Sequence, residues 1–147
     1  LTDGIFDFDS ETGLAAFVCL YQSLFMVIDT RTFQTRVFKM LYRIGNGQIA
    51  KNVGNGLYTN VSPLTTLHSG ASISGNFIFV ISRVEAMEKR NSTSEKIVDV
   101  YNSHNGTYKG SLYLQSLSSE GALKLVVRKG VLYIIQNRKV SLFLLPD

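Results

Sequence analysis

The sequence has 147 residues, of which 45% are hydrophobic and 18% charged, with two prolines, one cysteine and no tryptophan. That length suits one domain, and a chain this apolar can bury enough surface to offset its ordering entropy, which excludes disorder. A single cysteine excludes an internal disulfide framework and any zinc cluster built on cysteines, while a net charge of +4 spread in singles and pairs lacks the clustered stripe that nucleic acid requires.

In chain order, residues 5–8 form a short apolar run, followed by turn formers from Asp9 to Gly13. Residues 14–21 and 24–29 flank Gln22-Ser23, and two strand-like runs only two polar residues apart predict a tight hairpin. The whole stretch 14–28 falls short of the roughly 18 clean apolar residues that a membrane helix needs. A fourth run, 36–44, completes an antiparallel meander. Residues 45–63 read as a long loop punctuated by Gly45, Gly47, Gly54 and Gly56. Strand signals resume at 67–73 and 77–84, around a Ser74-Gly75-Asn76 turn. A polar insert, 85–94, begins in the one helix-permissive stretch, 84–90, and leads to runs 96–101 and 108–114. After a Ser-rich link come 123–127, 131–136 and 140–145, separated by Lys129-Gly130 and Asn137-Arg138-Lys139.

The pattern repeats. Each unit is a strand, a small turn, an apolar strand, a polar link and a third strand, and the first two units end that third strand in Asp29 or Asn102. A side chain able to bond its own downstream backbone suits such a corner. Naming the strands of a unit A to D, the chain reads ABCD, ABCD, ABC, with units at about 4–44, 64–115 and 121–145. The fold class is therefore all-β, built of antiparallel four-stranded meanders. A β-sandwich of short, evenly spaced strands is the alternative.

The phrase running from Asn102 to Gly110, and from Asp29 to Arg36 with Phe33 where glycine is commoner, resembles the C-to-D corner of β-propeller blades of the TolB-like or NHL-like kind. The chain as a whole resembles exported six-bladed propellers of bacterial cell envelopes, although no Trp-Asp motif is present. The resemblance implies an extracytoplasmic location. A blade takes about 40–50 residues and a closed ring about four to eight blades, so three units leave two apolar blade faces to be covered. The partner is either the remaining blades of a longer chain or a second copy. The start at Leu1 rather than methionine fits either a processed chain or a piece of a longer one, and the missing fourth strand of the last unit favours the longer chain.

Candidate chemistry is sparse. Gly45 to Ala50 spells a dinucleotide fingerprint, but that site needs a following helix and an acid about 20 residues on, and neither is in the sequence. Asp7, Asp9 and Glu11 alternate in the manner of calcium ligands, yet Thr12 and Val18 stand where an EF-hand needs Gly and Glu, so a polar A-to-B turn explains them. Cys19 lies within an apolar strand, and His68 and His104, 36 positions apart, cannot form a multi-histidine metal site. No acid–base pair sits at a recognisable spacing, so no catalytic residue, metal or cofactor is assigned and an enzyme within this chain is disfavoured.

Strand parity places D-to-A and B-to-C links on one rim. The long segments 45–63 and 85–94 therefore share it, flanked by Arg43, Tyr58, His68, Arg83 and Glu85. Long loops on a rigid scaffold are where binding concentrates. The expected function is a non-enzymatic binding or scaffold module for protein, peptide or glycan, with no nucleic acid and no membrane span. A hydrolase or lyase whose catalytic groups lie in other blades is the alternative, and a self-associating lectin-like ring a third reading.

Overall fold

The structure, a computed structural model, describes residues 3–41, 50–54, 57–60, 66–82, 96–114, 123–136 and 138–145. Runs of β-branched and aromatic residues bounded by turn formers become strands β1 (Gly4–Asp9), β2 (Leu14–Cys19), β3 (Leu24–Asp29) and β4 (Thr35–Lys39), paired in that order as one antiparallel sheet. Strands β5 (Ala50–Gly54) and β6 (Leu57–Asn60) form a hairpin of their own. The second four-stranded sheet is β7 (His68–Ser74), β8 (Phe77–Ser82), β9 (Lys96–Asn102) and β10 (Tyr108–Leu114). The third holds β11 (Leu123–Arg128), β12 (Val131–Gln136) and β13 (Lys139–Leu144), with no fourth strand among the described residues.

Alternation of side chains across each strand decides how the sheets stack. In β8, Ile78 and Val80 pack against Val18, Phe25 and Val27 of the first sheet, whereas Phe79 and Ile81 pack against Leu125, Leu132 and Ile134 of the third. The middle sheet is thus buried on both faces. Its first strand, β7, lies beside β1 on one side and β11 on the other. Inner strands side by side, with meanders radiating from them and stacked face to face, make three blades of a β-propeller. The sandwich alternative is excluded, because two packed sheets would leave none covered on both faces.

The corners follow the sequence closely. Asp29 Oδ1 accepts the N–H groups of Arg31 and Thr32 at 2.9 and 3.2 Å, and Asn102 Oδ1 accepts those of His104 and Asn105 at 2.9 and 3.1 Å. The fourth residue after each has a left-handed backbone: Phe33 at φ 56° and Gly106 at φ 71°.

Two expectations are corrected. The tight hairpin at Gln22-Ser23 is instead a longer link, since β2 stops at Cys19. Leu20 N–H donates to Asp3 O and Ser23 O accepts from Met40 N–H, so Leu20 and Ser23 bond outside the β2–β3 ladder. Within the predicted loop 45–63, β5 pairs with β6 around a register shift between Asn52 and Gly54. Ala50 opens that strand, so the Gly45–Ala50 fingerprint leads into a β-hairpin and not a helix. The helix-permissive stretch 84–90 lies outside the described residues.

Both terminal faces are apolar and open. On the first blade Phe6, Phe17, Met26 and Val37 stand opposite one another across all four strands, with Phe6 and Val37 62% and 60% exposed. On the third, Ile135 faces Val140, Tyr133 faces Leu142 and Val131 faces Leu144, and Leu144 is 85% exposed.

Candidate functional site

Parity in β1 turns Ile5, Asp7 and Asp9 toward the second blade and Phe6 and Phe8 away from it. Asp7 Oδ2 accepts from Ser72 Oγ at 2.6 Å and from Ile73 N–H at 3.0 Å. Ser72 Oγ in turn accepts Val127 N–H from the third blade at 3.0 Å. A carboxylate on one inner strand therefore reaches the third through a single hydroxyl.

Arg128, at the end of β11, closes the same network. Its Nη2 lies 3.1 Å from Asp7 Oδ1 and 3.2 Å from Phe8 O, while Nη1 lies 3.1 Å from Ile73 O and 2.6 Å from Val127 O. One guanidinium thus gathers a carbonyl from each of the three inner strands. A planar fork of five donors is the side chain suited to that task. Burial opposes ionisation of Asp7, but the hydrogen bonds from Ser72, Arg128 and Ile73 N–H, together with the Arg128 charge, outweigh it and hold the carboxyl below its ordinary value.

Asp9 does the same work at the turn. Its Oδ2 accepts Gly75 N–H of the second blade at 2.8 Å and Thr12 Oγ1–H at 3.0 Å, and its Oδ1 accepts Glu11 N–H. Against the cost of burial, the Gly75, Glu11 and Thr12 bonds keep it ionised below its usual range. Both carboxylates are therefore occupied by donors from the chain itself. Beyond this clamp the inner strands frame an open cleft of about 200 Å³, lined by Ile5, Phe6, Ser69, Gly70, Lys124 and Val126 among others.

A second polar cluster lies between the first and second blades, with Asp99 at its buried end. Asp99, 2% exposed, accepts from Ser111 Oγ at 2.5 Å, and Ser111 Oγ lies 2.6 Å from Tyr108 OH. Burial pushes the Asp99 carboxyl up, and the single Ser111 bond only partly offsets that.

Of the five rim residues, Arg43, Arg83 and Glu85 lie outside the described residues. Tyr58 is on β6, opposite Asn52 in the hairpin register. His68 stands at the start of β7, opposite Ser82, the last described residue before the polar insert. Its ring is buried, and Nδ1–H donates to Cys19 O at 2.8 Å. Burial lowers its pKa against the opposing effect of that bond, so the imidazole is neutral and ties the second blade to the first. Cys19 is itself buried, which raises its thiol pKa. In the sequence Arg128 is one of the basic residues spread in pairs, and the available signal for its role is that it ends its strand where Asp9 ends β1.

No protein-family model and no curated protein matches the chain. Among solved structures it is similar to the structure of U3-55K, with 12% identity and a TM-score of 0.44 over 95% of this chain and 36% of that one. It is also similar to the crystal structure of the RRP9 WD40 repeats, with 13% identity and a TM-score of 0.43 over the same shares. The chain spans about a third of the length of each of these structures.

Proposed function

We propose that the three blades form part of a non-catalytic binding scaffold that recognises protein, peptide or glycan through the rim carrying the D-to-A and B-to-C links. The observation that supports this reading is a set of bonds at one rim: Leu67 N–H to Leu20 O, Met40 N–H to Ser23 O, and His68 to Cys19 O. They gather the described ends of the first long segment at one edge, and the pairing of Ser82 with His68 and Ile97 brings the described ends of the second to the same edge, while the short turns, joined by Thr30 N–H to Gly13 O and Ser103 N–H to Asn76 O, lie at the other. Segments of that length on a fixed scaffold are free to vary without disturbing it. Tyr58, Arg43, Arg83 and Glu85 are the residues nominated for contact, and His68, buried on Cys19 O, holds the rim beneath them. The same reading extends, by resemblance, to a six-bladed ring exported to a bacterial envelope; the corners at Asp29 and Asn102 support its TolB-like or NHL-like blade type alone.

Peptide and glycan arrays probed with the full chain test it. Binding that falls roughly tenfold in Tyr58→Ala, Arg83→Ala or Glu85→Ala and is unchanged in Arg31→Ala or Lys129→Ala, on the opposite rim, is the expected result. Loss confined to the opposite-rim variants overturns it.

A further inference from the structure

The two junctions between blades carry the same polar latch. At the first, Asp7 on β1 accepts the N–H of Ile73, the penultimate residue of β7. At the second, Ser72 on β7 accepts the N–H of Val127, the penultimate residue of β11. Asp7 and Ser72 each stand two residues before the end of their strand. The rule at both junctions is one side-chain oxygen taking one backbone N–H from the following blade.

Carried one step in each direction, the rule picks out two more positions. Phe8 is the penultimate residue of β1, and its carbonyl accepts from Arg128 as those of Ile73 and Val127 do. A strand residue turns its N–H and C=O to the same edge, so the Phe8 N–H leaves the sheet at its inner edge, as those of Ile73 and Val127 do. In β11 the position of Asp7 and Ser72 is held by Val126, which offers only methyl groups.

We infer that the open face of the first blade is covered by a blade other than a second copy of this chain, one whose inner strand carries a carboxylate or hydroxyl two residues before its end. Head-to-tail closure of two copies would set Val126 of one against the Phe8 N–H of the other and bury a donor without an acceptor, which folded proteins avoid. Both junctions already in the molecule satisfy that donor. The apolar row from Phe6 to Val37 sets the rest of the chemistry of the incoming face: aliphatic, and four strands deep. The latch belongs to the blades and is independent of what the rim binds, so a negative array result leaves it standing.

The test compares the full chain with Val126→Thr, which adds a hydroxyl at nearly constant shape. Sedimentation equilibrium over a concentration series gives self-association, and amide hydrogen exchange follows Phe8, Ile73 and Val127. The wild-type chain forms no discrete dimer, and its Phe8 amide exchanges faster than the other two. Val126→Thr closes head to tail about 5- to 100-fold more tightly than the weak association of wild type, as two added hydrogen bonds, one at each junction, allow, and its Phe8 amide slows on association. A discrete wild-type dimer, a Phe8 amide as slow as that of Ile73, or no tightening in Val126→Thr overturns the inference.

Discussion

Arg128 Nη2 lies 3.1 Å from Asp7 Oδ1, joining the first blade to the third across 121 positions of sequence. The pair is half open to solvent, so its charge attraction alone is worth little. Its weight comes from what surrounds it: Ser72, Ile73 N–H and three carbonyls that would otherwise stand without partners.

Asp7→Ala is therefore expected to cost about 1–3 kcal/mol in urea unfolding, chiefly by orphaning the Ile73 and Ser72 donors. Combined with Arg128→Ala, the double-mutant cycle should return a coupling of only about 0.5–1 kcal/mol. Costs that add without coupling would mean that the guanidinium serves the carbonyls alone.

The pH dependence of that clamp has a definite sign. Asp7 and Asp9 have carboxyl pKa values depressed from 3.8, so their contribution is present above that value and is lost as pH falls through the folded-state values. Asp7→Asn should flatten the acid limb of stability measured against pH, and an unchanged limb would contradict the assignment.

Asp99 has the opposite sign. Its carboxyl is raised by burial, so the stability it contributes is present below 3.8 and is lost as pH rises through the folded-state value. Asp99→Asn, which keeps an acceptor for Ser111, should raise the melting temperature at neutral pH and have little effect in acid. Destabilisation at neutral pH would show that the ionised form has a partner that this account omits.

The two equivalent corner positions predict opposite outcomes. Phe33, 81% exposed at φ 56°, holds a left-handed backbone that costs a residue with a Cβ about 1–2 kcal/mol, so Phe33→Gly should stabilise by up to about 1 kcal/mol. At Gly106, φ is 71° and an added Cβ would clash with the Phe38 ring, so Gly106→Ala should cost about 2 kcal/mol or more. Thermal unfolding of the two variants checks both signs.

Much of the fold is legible in the sequence because its determinants are local. The strands are β-branched runs between turn residues, and the corners announce themselves through Asp29 and Asn102, whose bonds span two or three residues. The open faces follow from the count of three units, fewer than a closed ring needs. What escapes is long-range or written on the backbone. Arg128 beside Lys129 reads as a solvated pair, since nothing nearby announces the Phe8 and Ile73 carbonyls that hold it. The partner of His68 is a carbonyl, which carries no sequence signature. The β5–β6 hairpin is hidden by its glycines and asparagines, residues that strands disfavour.

The central claim is that three blades stand together with both terminal apolar faces bare. Solvent paramagnetic relaxation of methyl signals, in the dilute full-length chain with a soluble gadolinium chelate, reads it directly. Strong enhancement at Val37, Val140 and Leu142 beside weak enhancement at Val27, Val80 and Ile134 is the result predicted. Equal shielding of the two sets in a monomer would mean a self-contained body, and would contradict it.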